Sequence, residues 1–429
     1  MKLLSTLFLL VRRSLAQHRL STAVTVFSAA LGSGLVMAVF NVSKQAERAF
    51  SAGDLEVDAV LGARGSELQL VLNSIFHLET SPGNIPWALY EEIRTTRGVT
   101  MALPYAVGDN YQGFRVVGTE PAIFSELTFG DGRTLEVWPA EPPGGEQRPW
   151  PMDASRREAV IGATVAERTG LTVGSTFQPT HGVVAGGGTV HEETYVVTAI
   201  VEPTSTPLDR VVFIPIEGIF RMGGHYLRGA GEEFQAEAGE AIPDEHKEVS
   251  AVLLQFSNPT VGFNLDRMMQ SRSELATLAY PVAQVMGDIF DKLGWVNRVL
   301  EVVAYLVVLV AAASILAAIY NTMNERRREF AILRALGARR ATVFSAIVLE
   351  AGTIAALGAL VGFLVYGGIL LLASTVVRNQ TGVHLDLATF HPMLVGAPLG
   401  MVLLGVLSGV LPALVAYSTD VADNLLPTS

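Results

Sequence analysis

Between Glu325 and Arg340 the chain reads ERRREFAILRALGARR, and six arginines crowd this stretch: Arg326, Arg327, Arg328, Arg334, Arg339 and Arg340. Helix formers dominate Glu325 to Leu336, Glu325 and Glu329 stand four residues apart on the early turns, and Gly337 follows where a helix stop wants a left-handed residue. Phe330, Leu333 and Leu336 share one face, with Arg328 and Arg334 among the basic residues around it. Such a stripe is recognition chemistry: an amphipathic helix of this kind docks in a partner's groove. Arginines that only anchored topology would leave the apolar face without a purpose. Glu350, in the apolar run that follows, is a second reactive-looking group, because a carboxylate at membrane depth is costly unless it is paired. A salt bridge from Glu350 to an arginine of the loop, holding the helix at a fixed angle, is preferred over a proton or substrate role. His181 and His191 flank the glycines Gly186 to Gly188, and His225 and His246 lie in a polar insertion between Gly223 and Glu248. Their spacing matches no recognised metal site, so no bound metal is expected.

Catalytic signatures are absent. The sequence contains no Gly-x-x-x-x-Gly-Lys phosphate loop, no His-Glu-x-x-His and no serine in a Gly-x-Ser-x-Gly turn, so neither ATP hydrolysis nor other enzymatic chemistry is expected of this chain.

The elements that hold these residues follow from hydropathy. Half of the 429 residues are hydrophobic, too many for an ordinary soluble protein and too few for a many-span carrier. Four runs reach the length needed to cross about 30 Å of hydrocarbon. The expected organisation is a cytosolic interfacial helix over 1–19, spans over 20–42, 299–320, 341–374 and 392–417, an extracytoplasmic domain over 43–298, a cytosolic coupling loop over 321–340, a short outer loop over 375–391 and a cytosolic tail over 418–429. Lys2, Arg12, Arg13 and Arg19 join the six loop arginines on the cytosolic side, which puts the large domain outside. Leu4, Leu7, Phe8, Val11 and Leu15 fall on one face of the first helix, the pattern of a helix lying in the interface. Glycine pairs at four-residue spacing, Gly358 with Gly362, Gly396 with Gly400 and Gly405 with Gly409, predict close helix contacts within the chain or with a second copy. Phe290, Trp295, Phe390, Tyr320 and Tyr417 fit interfacial aromatic belts.

In the outer segment, 115–118, 195–201, 211–215 and 251–255 read as strands, while 82–97, 156–169 and 273–297 read as helices. An α+β domain of two lobes is predicted: one near 50–130 and 250–290, the other a small β-rich barrel or sandwich near 150–220, with Pro139 to Pro151 crossing between them. The fold class is therefore a four-span helical membrane protein carrying a large extracytoplasmic α+β domain. The net charge of −11, with the basic residues gathered inside, argues against a nucleic-acid partner.

Glu325 to Ala338, ERRREFAILRALGA, together with Glu350-Ala351, resembles the signature of the FtsX/MacB-type permeases, the membrane subunits of mechanotransmitting ABC transporters, among them LolC and LolE. Val116 to Pro121, Glu158 to Gly174 and Tyr195 to Pro215 resemble that family's outer domain, and Leu411 to Leu425 its closing segment, with Asp420 where many relatives have proline. The resemblance implies that Glu325, Arg326, Arg328, Glu329, Phe330, Leu333, Arg334, Leu336 and Gly337 form a coupling surface for a dimeric cytosolic ATPase on a separate polypeptide. ATP and Mg²⁺ would bind that ATPase, and this chain would hold no cofactor. It further implies a second permease copy, identical or a close paralogue, a periplasmic adaptor or substrate-binding protein, membrane lipid around the spans, and residence in the inner membrane. Export or extraction of a peptide, amphiphile or lipoprotein is the expected function. A non-transporting transducer that regulates an outer partner is the alternative.

Overall fold

A computed structural model describes residues 2–50, 55–142, 150–153, 156–183, 186, 188–235, 241–271, 276–381 and 389–418; at 2–6, 46–50, 290, 293, 379–381 and 418 it describes the backbone alone. In chain order the elements are α1 (Lys2–Gln17), α2 (Arg19–Phe50), β1 (Ala59–Gly62), α3 (Glu67–Ser74), β2 (Ile85–Pro86), α4 (Trp87–Arg94), β3 (Val99–Tyr111), β4 (Phe114–Thr119), α5 (Ile123–Glu126), β5 (Val137–Trp138), β6 (Glu158–Ile161), α6 (Ala163–Thr169), β7 (Thr176–Phe177), β8 (Thr180–His181), β9 (Tyr195–Val201), β10 (Val211–Pro215), α7 (Ile216–Phe220), β11 (Glu248–Val249), β12 (Ala251–Phe256), α8 (Pro259–Ser271), β13 (Thr277–Ala279), α9 (Val282–Glu325), α10 (Arg327–Ala335), α11 (Arg340–Thr381) and α12 (Met393–Ser418). Two compact units result: a helical one of residues 1–46, 293–375 and 385–429, and an outer one of 47–292 and 376–384.

In the helical unit, four helices are long and apolar enough to cross a membrane: Arg19–Gln45, Gly294–Glu325, Arg340–Arg378 and Met393–Tyr417. Their shared core is small-residue rich, with Ala29, Ala311, Ala351, Ala355 and Ala359 beside Ile315, Ile319, Ile347 and Ile354. Two of the three glycine pairs explain the closeness. A methyl on Gly358 would stand 2.4 Å from the Ala29 Cβ of α2, and one on Gly405 would stand 2.2 Å from the Ala355 Cβ of α11. Gly400 has nothing within 4 Å of an added Cβ, so its pair packs on neither helix among the described residues. The belt aromatics Trp295, Phe390, Tyr320 and Tyr417 are exposed, while the Phe290 side chain lies outside the described residues. α1 buries Leu7, Val11 and Ser14 while Phe8 faces outward, so the apolar face expected to lie in the interface is divided between packing and exposure. The Leu4 side chain and the tail from 419 lie outside the described residues.

The outer unit is built on an eleven-stranded sheet ordered β13-β1-β12-β3-β4-β10-β6-β9-β5, with β7 on β9 and β8 on β3. Both faces are covered, which explains why its strands read as unbroken apolar runs. Leu61, Val116, Ile214 and Leu254 point into one core with α4, α7 and α8, while Val60, Val117, Phe213 and Leu253 point into the other with α3 and α5. The two lobes share β3, whose first half pairs with β12 and whose second half pairs with β4 and β8. The second lobe is accordingly an open extension of the same sheet, mixed through the parallel pairs β10·β4 and β6·β9, rather than a barrel or sandwich. Three predicted helices are shorter than expected. Glu158–Ile161 is a strand, since its four residues are buried between β9 and β10, and helix α6 begins only after Gly162, where a Cβ would collide with the Asp209 carbonyl at 2.3 Å. Ile85–Pro86 pairs with β11 before α4 starts. Thr277–Ala279 forms an edge strand on β1, so α9 starts at Val282.

Candidate functional site

The Arg-rich segment is more helical than a loop: α9 continues to Glu325, Arg326 interrupts it, α10 follows, and α11 begins at Arg340. Gly337 takes φ +97°, and the Ala338 and Gly337 amides bond back to the Leu333 and Arg334 carbonyls, closing α10 with a left-handed turn.

Arg326, at the break, is the organising residue of the helical unit. It is only 8% exposed, and its guanidinium donates from Nε to Glu329 Oε2 at 2.9 Å and from Nη1 to Ser14 Oγ at 2.7 Å. The Ser14 hydroxyl in turn donates to Glu350 Oε1 at 2.5 Å, and Glu350 Oε2 lies 3.7 Å from Arg326 Nη1. One cation, two carboxylates and one hydroxyl therefore tie α1, the α9–α10 break, α10 and α11 together. A buried ion pair of this kind is held only when its remaining hydrogen-bonding capacity is also met, and Ser14 supplies that here. Arg326 also covers the Phe330 ring at 5.1 Å, Arg340 covers Tyr417 at 5.6 Å, and His18 reaches Glu325 at 3.4 Å.

This packing divides the residues that the sequence grouped. Phe330 packs on the helical core, and Leu333 and Arg334 are half-buried, whereas Arg328 and Leu336 are exposed. Phe330 and Leu336 therefore serve opposite purposes, one seating α10 and the other facing out. The exposed apolar pair is Ile332 with Leu336, 45% and 80% exposed and one helical turn apart. Ile332 was missed, although its four-residue spacing from Leu336 was the available signal. Ser14 had no sequence signal at all.

In the outer unit, Asp109 of β3 is fully buried and faces three imidazoles. Its Oδ1 lies 3.1 Å from His191 Nε2 and 3.3 Å from both His181 Nδ1 and His225 Nε2. Local structure sets this up. The β8 register places His181 opposite Asp109, the His191 amide bonds the Pro179 carbonyl across the hairpin, and the His225 amide closes a turn on Met222 after α7. A Cβ on Gly188, at φ +110°, would overlap the His181 carbonyl, so the hairpin needs glycine there to close. Burial alone would raise the Asp109 carboxyl, but the hydrogen bonds and charges of His225 and His191 outweigh it and hold the group below the usual carboxylate value. His246 is elsewhere, stacked on Phe234 at 4.3 Å. Asp109, missed in the sequence, is the hub of the histidines that were noticed.

Two family models match the chain: a MacB-like periplasmic core domain over residues 22–252 and an FtsX-like permease C-terminal domain over residues 301–421. The first alone spans more than half of the sequence. The chain belongs to the FtsX/MacB-type ABC permeases. This permease is 32% identical over 122 residues to the macrolide export ATP-binding/permease protein MacB of Nitrobacter winogradskyi, a match covering 27% of the chain and 17% of that protein. It is 36% identical over 126 residues to an uncharacterized ABC transporter permease of Methanocaldococcus jannaschii, covering 28% of the chain and 31% of the relative. The matched stretch thus spans less than a third of either relative's length. Among solved structures, the periplasmic region of MacB from Actinobacillus actinomycetemcomitans aligns over 55% of the permease and 94% of that chain, with a TM-score of 0.33 and 9% identity. The extracellular domain of the noncanonic ABC-type transporter YknZ from Gram-positive bacteria aligns over 51% and 97%, with a TM-score of 0.29 and 14% identity. The permease is a membrane protein whose outer unit is of the periplasmic-core type.

Proposed function

We propose that this permease transmits the closing motion of a cytosolic ATPase dimer, through α10 and the long helix α9, to its outer unit, and that this motion drives export or extraction of a peptide, amphiphile or lipoprotein. The permease works beside a second copy or close paralogue in the inner membrane, with an adaptor or substrate-binding protein outside. ATP and Mg²⁺ belong to the ATPase. One observation supports this reading above the others: Phe330 and Ala331 seat α10 on the helical unit and the cluster of Arg326, Glu329, Glu350 and Ser14 ties its N-terminal end to three other helical segments, while Ile332 and Leu336 are left exposed. A helix fastened at one end and left with exposed apolar side chains receives a push without folding away from it. Its contact with the ATPase is a helix-in-groove mode, and the surrounding arginines favour an acidic groove.

The double substitution Ile332→Glu with Leu336→Glu tests this. Because both side chains are exposed, thermal stability in detergent should change by less than about 0.5 kcal/mol. Stimulation of the partner ATPase by the permease should fall at least tenfold. Stimulation equal to wild type would remove α10 as the coupling surface.

A further inference from the structure

The Asp109 cluster leaves one buried carboxylate oxygen overcrowded and the other unmet. His191 is buried, and its Nδ1 lies 2.9 Å from the Gly223 carbonyl oxygen, which can only accept, so the proton sits on Nδ1. Its Nε2 faces the Asp109 carboxylate at 3.1 Å. His181 Nδ1 and His225 Nε2 lie 3.3 Å from the same Oδ1 and 3.3 Å from each other, while the buried Oδ2 has no partner among the described residues. Three ring nitrogens crowd one oxygen and neglect the other. A cation at the centre would engage all four donor atoms, which lie within 4.8 Å of one another.

We infer that Asp109, His181, His191 and His225 form a binding site for a divalent transition metal of the zinc type. The separations agree with that ion. Ligand atoms about 2.0 Å from a tetrahedral Zn²⁺ stand about 3.3 Å apart, and four of the six edges of the cluster are 3.1 to 3.3 Å, the other two lying within 4.8 Å. The chain has no cysteine, so imidazole and carboxylate are its available strong ligands for such a metal, and three imidazoles with one carboxylate suit zinc over calcium or magnesium. The bond from His191 Nδ1 to a backbone carbonyl is the outer-shell contact that fixes a metal-binding ring in its tautomer. An ion has a way in: the His181 side chain is 55% exposed, and His181 and His225 line a cavity of about 300 Å³ with Asn84, Gly108, Glu248 and Ser250. Bound there, the metal pins the hairpin after β8 and the turn after α7 to β3. The site is independent of the coupling role assigned to α10.

The test uses the full-length permease in detergent, freed of any polyhistidine tag and stripped with a chelator, then titrated with Co²⁺ and Zn²⁺. One equivalent of Co²⁺ should bind with the intense visible bands of tetrahedral coordination, Zn²⁺ should displace it, and Zn²⁺ should raise the melting temperature of the outer unit. His181→Ala, which removes an exposed ring, and the isosteric Asp109→Asn should each weaken binding at least tenfold while melting like the wild type in chelator, and His246→Ala should bind as the wild type does. Absence of stoichiometric uptake, octahedral cobalt bands, or undiminished uptake when His181→Ala and Asp109→Asn are combined would overturn the site.

Discussion

In the helical unit the buried cation Arg326 is met by two carboxylates and a hydroxyl; in the outer unit the buried anion Asp109 is met by three imidazoles. The first cluster is organised around a guanidinium, which does not deprotonate. It works as a permanent clamp between helices. The second surrounds its carboxylate with imidazoles, side chains that can carry a proton or serve as metal ligands. The contrast separates a mechanical fastener from a chemically adjustable one within one chain.

The largest expected effect comes from breaking the fastener. Arg326→Met leaves Glu350 buried without its cation, and removing one member of a buried pair costs about 3–5 kcal/mol. Melting in detergent should drop accordingly, and stimulation of the ATPase should disappear. Adding Glu350→Leu should recover most of the stability, because an apolar pair replaces an ionic one, yet leave coupling impaired. Recovery of coupling along with stability would mean that the cluster only packs the helices.

A smaller effect concerns protons in the outer unit. His77 is half-buried there with both ring nitrogens shielded from solvent, and burial first, then the Arg115 charge, lower its pKa to about 3 from the ordinary 6.5. The unfolded chain therefore binds a proton that the folded chain refuses between those values. Stability from this group is complete above pH 6.5 and is lost as pH falls toward 3, by about 1.4 kcal/mol per pH unit at most. His77→Asn keeps a residue type tolerant of the φ of +55° and cannot titrate, so it should flatten the acid limb of a melting-temperature profile measured between pH 7 and 4. An unchanged acid limb would assign the pH dependence to other groups.

Local pattern carried much of the fold. The strands at 195–201 and 211–215 appear with the bounds read from their β-branched runs, and the glycine stop at 337 takes a positive φ. Pattern failed where pairing across distance decides. Glu158–Ile161 looks helical until β9 and β10 bury it, and β3, with Pro104 and Gly108 in its length, does not alternate cleanly enough to be noticed. The sites divide in the same way. The Arg-rich helix was legible because its residues are neighbours in sequence, and so was the pairing of Glu350 with a loop arginine. Ser14 lies 312 residues from Arg326, and Asp109 lies 82 and 116 residues from His191 and His225, so neither partnership leaves a mark on spacing.

The most direct measurement exploits the absence of cysteine. A single Leu336→Cys, on the most exposed apolar residue of α10, can be probed with a membrane-impermeant maleimide in intact cells and in inverted vesicles, with and without the ATPase. The coupling account predicts labelling only from the cytosolic face, and protection when the ATPase is bound. Labelling from outside the cell, or equal labelling with the ATPase present, would contradict it.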